Sequence, residues 1–268
     1  EEERMRKGYD EDIYFRSDHF ESRRRVTVYF KGEELLHLHY LPSAQLVKIN
    51  RKWRVSQAQA EGFAINTRTG KWLAEREVEE YRADPEKKNL FTRVKLYTTA
   101  TANALYIEPC EKLNLQPDGV LTLLHALKRA VEQHFQIEPR ELAAELMGEP
   151  EQPNIFIYES AEGSLGVLSQ IVGNAEAFRQ VAETAYRICH FENGEDIHPK
   201  QGLCTASYED LLDYYNQRYH DKINRFLIKN ALELLLECQF DNTPGLLTYD
   251  DQFQKIYAQT DPKSRMER

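Results

Sequence analysis

The hydrophobic period of this chain changes once, at Pro109, and that change limits what it can fold into. Before Pro109, short β-rich runs alternate with polar turns; after it, apolar residues recur at helical spacing. Val26-Thr27-Val28-Tyr29-Phe30 is β-rich, and Lys31-Gly32-Glu33-Glu34 supplies a turn ahead of the run from Leu35 to Leu41. Further short runs fall at 45–49, 62–66, 94–98 and 104–107, and Gly70 marks a polar hairpin tip. This spacing predicts an antiparallel β module over 25–108. Beyond Pro109, Val120, Leu123, Leu124, Leu127, Ala130 and Val131 predict an amphipathic helix over 119–135. A second helix is expected at 140–147, between Pro139 and Gly148. The run Ile155-Phe156-Ile157-Tyr158 predicts a strand covered on both faces. Helices are expected at 164–171 and 175–189, and one long or two abutting helices at 208–239. Residues 1–24 read as a solvated lead-in and 241–268 as a frayed tail. The expected class is α+β, an N-terminal antiparallel β module followed by a mainly helical α/β domain at 109–240.

Composition excludes several functions. The 268 residues carry a net charge of -9, which argues against wrapping nucleic acid over the whole surface but allows a local basic patch. Four cysteines are too sparse for a disulfide scaffold, and without an export signal the cytoplasm is the expected home, with no membrane association. A start at Glu1 rather than methionine reads as an excised piece of a longer polypeptide. No G-x-x-x-x-G-K-[ST] phosphate loop, G-x-S-x-G elbow or H-E-x-x-H helix occurs. Gly163-Ser164-Leu165-Gly166 follows a strand and opens a helix, so it reads either as an anion cradle or as a tight turn that needs glycine.

Three groups of side chains could carry chemistry. His37 and His39 share one face of a strand, the minimum for two metal ligands, with no third ligand near them in sequence. Cys189 and Cys204 flank a loop that also holds His190 and His198; two thiols and two imidazoles could bind zinc, or the thiols could simply pack. The basic runs Arg23-Arg24-Arg25 and Lys48, Arg51, Lys52, Trp53, Arg54 place cations beside a stacking aromatic, as in a DNA groove, or form a solvated strand end.

From Tyr208 the residues Tyr208-Glu209-Asp210-Leu211-Leu212-Asp213-Tyr214-Tyr215-Asn216-Gln217-Arg218-Tyr219-His220, continuing to Arg225, follow a recognisable pattern. They resemble the C-Y-x-C-L-x-x-Y-x-N-Q-x-x-H-x-x-x-x-R signature of the MrfA-type zinc-binding domain. That domain lies at the C-terminal end of superfamily 2 DNA helicases, with relatives in DISARM phage-defence systems. Asn216, Gln217, His220 and Arg225 match the signature one by one. The resemblance implies zinc cysteines at Cys189, Cys204, Ser207 and Asp210, of which the first two remain, so it implies a remnant site from which the metal is lost. It further implies a bacterial, non-catalytic accessory region that grips DNA or docks a helicase motor, in cis or in trans, or a companion defence subunit. Asn216 and His220, with Asp221 and Arg225, are expected to form a buried polar network holding a helix against the turn at Gly163 and Gly166. Two other classes remain open: a pure protein–protein module, and a hydrolase using Glu159, Glu162 or His220.

Overall fold

The computed structural model describes residues 9–17, 24–53, 60–160, 166–200 and 202–241. The chain forms two compact units, residues 1–16 with 44–101 and residues 17–43 with 102–268. The units interleave along the sequence, where the linear reading placed a boundary at 108/109. Strands β3 (Glu33–Trp53) and β7 (Leu96–Pro109) each contribute to both.

In the first unit, β1 (Tyr9–Arg16) pairs antiparallel with the C-terminal part of β3, from Arg16 opposite Gln45 to Tyr9 opposite Trp53. The expected lead-in is therefore a strand from Tyr9. A three-stranded sheet places β4 (Phe63–Asn66) between β5 (Trp72–Leu73) and β6 (Phe91–Val94). Its small core is Ala64, Leu73 and Val78, the last on α1 (Glu75–Ala83), a helix the strand pattern did not anticipate. The turn at Gly70 is organised by Asn66, whose Oδ1 accepts the N–H groups of Arg68 and Thr69 at 2.9 Å. Gly62 has φ +87, and a Cβ there would meet the Val94 carbonyl oxygen at 3.0 Å, so only glycine fits.

In the second unit, β2 (Arg24–Phe30) and the start of β3 make the expected hairpin. Lys31 and Gly32 both have positive φ (51° and 85°), the geometry of a two-residue turn that matches strand twist. The strand order is β12 (Gln239–Asp241), β2, β3, β7, β9 (Gln152–Glu159), β8 (Leu142–Glu149). The helices are α2 (Pro117–Phe135), α3 (Val167–Gly173), α4 (Ala175–Ile188) and α5 (Lys229–Leu236). Leu123, Leu124 and Leu127 of α2 join Phe178, Val181 and Ala185 of α4 and Leu232 and Leu235 of α5 in one core with Ile155 and Ile157. Residues 155–158 are buried throughout, as a strand covered on both faces requires.

One expected helix is a strand and another is cut short. The 140–147 segment is β8, paired along its whole length with β9. The 208–239 segment is helical only at Lys229–Leu236, preceded by 3₁₀ turns at Gln217–Tyr219 and Arg225–Leu227. Among the described residues no helix is long and apolar enough to cross a membrane.

Candidate functional site

After α4 the chain reverses through Cys189 and His190, the latter at φ 57°, into the hairpin β10 (Phe191–Glu192) and β11 (Glu195–Asp196). Asn193 and Gly194 turn it with φ of 49° and 83°. A long loop to residue 216 follows, with little regular structure to hold it. What holds it is Arg225. This guanidinium is fully buried. Its Nε donates to the Cys204 carbonyl at 2.9 Å, its Nη1 to the Cys189 carbonyl at 2.9 Å, and its Nη2 to Asp196 Oδ2 at 2.6 Å. The Arg225 backbone N–H adds a bond to the Thr205 carbonyl at 2.9 Å. The rings of Phe226 and Phe191 lie 4.2 and 5.1 Å from the guanidinium carbon. A planar guanidinium spreads fixed donors over three nitrogens and so reaches acceptors on three parts of the chain, which the single nitrogen of an ammonium does not span. The Arg225 hydrogen bond, with the N–H groups of Gly202 and His198 and against the cost of burial, holds the Asp196 carboxyl well below the usual range.

The four positions implied for zinc cysteines do not converge as a sulfur site. Cys189 is buried, and burial followed by the charge of Asp210 pushes its thiol up, against the pull of Arg225. Cys204 Sγ donates to the Ala206 carbonyl at 3.5 Å. Ser207 and Asp210 bond to each other: Ser207 N–H donates to Asp210 Oδ1 at 2.6 Å and Ser207 Oγ–H to Oδ2 at 2.7 Å. The Leu211 N–H donates to Asp210 Oδ1 as well. The groups that do converge are His190, His198 and Asp210, whose ligand atoms all lie within 4.8 Å of one another. His190 Nε2 is buried without a hydrogen-bond partner among the described residues and faces Asp210 Oδ2 at 3.9 Å. The His198 ring stands edge-on to it, centroids 4.6 Å apart. His198 Nδ1 accepts the Lys200 N–H at 2.9 Å, which places the neutral ring's proton on Nε2; to bind an ion through Nε2 the ring would have to move that proton to Nδ1 and give up the Lys200 bond. Imidazole nitrogens and a carboxylate are ordinary zinc ligands. A divalent ion between these three groups would satisfy the orphaned His190 nitrogen, so the donor set fits zinc. Sequence reading named His190, His198 and Asp210 as possible ligands beside the two sulfurs; the structure brings these three together.

The signature residues form two separate networks. Asn216 is buried, its Nδ2 donating to the Leu211 carbonyl and its Oδ1 accepting the Asp213 N–H, both at 2.8 Å. His220 Nε2 lies 2.9 Å from Asn216 Oδ1 and 3.1 Å from the Asp213 carbonyl, two acceptors that assign the proton to that nitrogen. Gln217 opens the 3₁₀ turn at Gln217–Tyr219. Arg225 belongs to the other network, with Asp196 rather than Asp221 as its acid. Gly163 lies outside the described residues. Gly166, at φ 70°, precedes α3. There Glu159 Oε1 accepts the Leu168 N–H at 3.4 Å, and Oε2 accepts Asn103 Nδ2–H at 3.2 Å. Of the three groups named for hydrolysis, Glu159 and His220 are thus engaged in structural bonds, and Glu162 lies outside the described residues.

Of the basic residues, Arg51 is held by Glu61 and, at 3.4 Å, by Asp12, while Lys95 pairs with Glu61 at 2.5 Å. Lys48 and Lys52 lie along the same strand, and Arg24 and Arg25 are exposed at the start of β2. Arg23, Arg54 and the side chain of Trp53 lie outside the described residues.

Among curated proteins, none matches this chain. Two solved structures are similar, one described as a DUF1998 helicase MrfA bound to DNA and the other as the same helicase bound to DNA and AMPPNP. The first has 12% identity and a TM-score of 0.44, covering 85% of this chain and 25% of that one. The second has 12% identity and a TM-score of 0.34, covering 83% and 22%. This chain therefore spans about a quarter of the length of those proteins, 25% in the first. Residues 123–245 match the family model of the MrfA Zn-binding domain. That span takes in the Arg225 staple, the His190, His198 and Asp210 set and the Asn216 network. Over residues 123–245 the chain is thus similar to the MrfA Zn-binding domain.

Proposed function

We propose that this chain is a non-catalytic accessory region of a bacterial DNA helicase, a scaffold that supports a motor and contacts DNA. The observation that carries this reading is the match of residues 123–245 to the MrfA Zn-binding domain. The engagement of Glu159 and His220 in structural bonds supports it too. An ion held by His190, His198 and Asp210 would act as a structural crosslink of the 189–210 loop, with Arg225 as its metal-independent counterpart. Phosphate contact is assigned to the basic residues Lys48, Lys52, Arg24 and Arg25 of β2 and β3; Arg51 is bound by two carboxylates.

Fluorescence anisotropy with labelled single- and double-stranded oligonucleotides over a salt series tests this. The chain is expected to bind DNA, and the Lys48→Glu/Lys52→Glu variant to bind about tenfold more weakly. The slope of log affinity against log salt should flatten by about two. DNA affinity unchanged by the double reversal would sink the DNA-contact reading. A second reading, docking of a motor or of a companion defence subunit, draws on Tyr208, Tyr214 and Tyr215, which are exposed by 54%, 59% and 74%. Binding of a motor domain lost on Tyr214→Ala/Tyr215→Ala, with DNA affinity intact, would favour it.

A further inference from the structure

A second group of metal-binding side chains lies in the β2–β3 hairpin, outside the matched domain. Regular alternation would put Glu34 and His37 on opposite faces of β3. The register shows why they share one: Val28 faces Leu36 while Tyr29 faces Glu34, so Leu35 is an extra residue and the strand is bulged. Both Leu35 and Leu36 are buried, and Glu34 is re-aimed onto the face of His37 and His39. The bulge also fixes a third participant. The Leu35 carbonyl accepts the Cys110 N–H at 2.9 Å, which brings the end of β7 alongside. The ligand atoms of Glu34, His37 and Cys110 lie within 4.8 Å of one another, with His37 Nε2 3.4 Å from Glu34 Oε2.

We propose that Glu34, His37 and Cys110 form a binding site for a borderline divalent cation, zinc above all. A thiolate, an imidazole and a carboxylate are a zinc ligand set, and three protein ligands leave a fourth position to water. The supporting shell is present. His37 Nδ1 lies 3.3 Å from Thr27 Oγ1, directly across the ladder, so its proton can sit there and leave the Nε2 lone pair toward the site. Tyr29 Oη donates to Glu34 Oε1 at 3.4 Å, leaving Oε2 for the ion. Glu108, paired with His39 at 2.8 Å, adds negative charge nearby. Burial, then Glu34 and Glu108, push the Cys110 thiol up, so without a cation it is protonated. Binding forms the sulfur–metal bond and releases the thiol proton to solvent, with no change of oxidation state. Sequence reading stopped at His37 and His39 because Cys110 is remote along the chain and the bulge leaves no sequence mark.

The test is zinc protection of Cys110 in the full chain, read by iodoacetamide labelling and peptide mass spectrometry. Saturating zinc is expected to slow Cys110 alkylation at least about tenfold. His37→Gln should abolish that protection, and Thr27→Val should weaken it about 10- to 100-fold in zinc affinity. His198→Gln should leave it intact, separating this site from the His190 set. With cobalt in place of zinc, Cys110→Ser should remove a thiolate-to-metal charge-transfer band that Cys204→Ser retains. Alkylation of Cys110 unchanged by zinc in the wild-type chain overturns the proposal. So does protection that survives His37→Gln or is lost in His198→Gln while circular dichroism shows that variant folded.

Discussion

Replacing Arg225 by methionine is expected to cost about 3–5 kcal/mol of folding free energy, the usual penalty for removing one partner of a buried ion pair. For a unit of this size that corresponds to a fall in Tm on the order of 10 °C. Methionine fills the side-chain volume but leaves the carbonyls of Cys189 and Cys204 without donors and Asp196 without its cation. Arg225→Lys keeps the charge but cannot span three acceptors, so its loss should fall between wild type and methionine. The acid limb supplies a second readout. Asp196 is held below its ordinary value when folded, so its contribution is complete above the unfolded value of about 3.9. It is lost as pH falls further, toward the folded value. That part of the acid sensitivity should shrink in the methionine variant, leaving only the share due to the Gly202 and His198 N–H groups. Thermal unfolding and urea titration of the three proteins check this; a Tm within a degree of wild type in Arg225→Met would refute the staple.

His125 sets the second large effect, and it acts at milder pH. Burial on α2 drives its pKa from 6.5 down to about 4. Asp213 opposes that fall, while Lys128, Arg218 and His220 add to it. Its Nε2 is buried without a hydrogen-bond partner among the described residues. The folded chain therefore refuses a proton that the unfolded chain takes up. Stability is complete above about 6.5 and drains away as pH falls toward about 4. At about 1.4 kcal/mol for each pH unit, the interval amounts to roughly 3 kcal/mol. Urea midpoints at pH 7, 5.5 and 4.5 should show the decline, and His125→Phe should flatten it. The window lies above that of Asp196, so the two groups can be told apart by pH alone. An equally steep decline in His125→Phe would assign the effect to other groups.

Where local chemistry and tertiary packing agree, the sequence was readable. The apolar spacing of α2 and α4 and the run at 155–158 were anticipated because each buries one continuous surface. The Lys31-Gly32 turn was legible because few residue pairs tolerate positive φ twice. The 140–147 segment misled because Glu, Leu, Ala and Met favour helices, yet eight ladder pairs with β9 outweigh that modest preference. The 208–239 segment misled for another reason. Ser207, Asp213, Asn216 and Asn224 spend their side chains on nearby backbone N–H groups, which competes directly with helix formation. The α+β class survived both errors because α2 and α4 and the strands at Arg24–Phe30, Glu33–Trp53 and Gln152–Glu159 remain. The candidate site was legible only in part. Arg225 and the two histidines were named from sequence, but their partners lie on other turns of the chain.

Two of the three ties made by the Arg225 side chain end on main-chain oxygens, and this bears on how such a domain can diverge. A carbonyl is offered by every amino acid, so the anchor points at 189 and 204 persist whatever side chain descends there. A lineage holding its loops this way can trade sulfur ligands for serine, aspartate or histidine in single steps and remain foldable throughout.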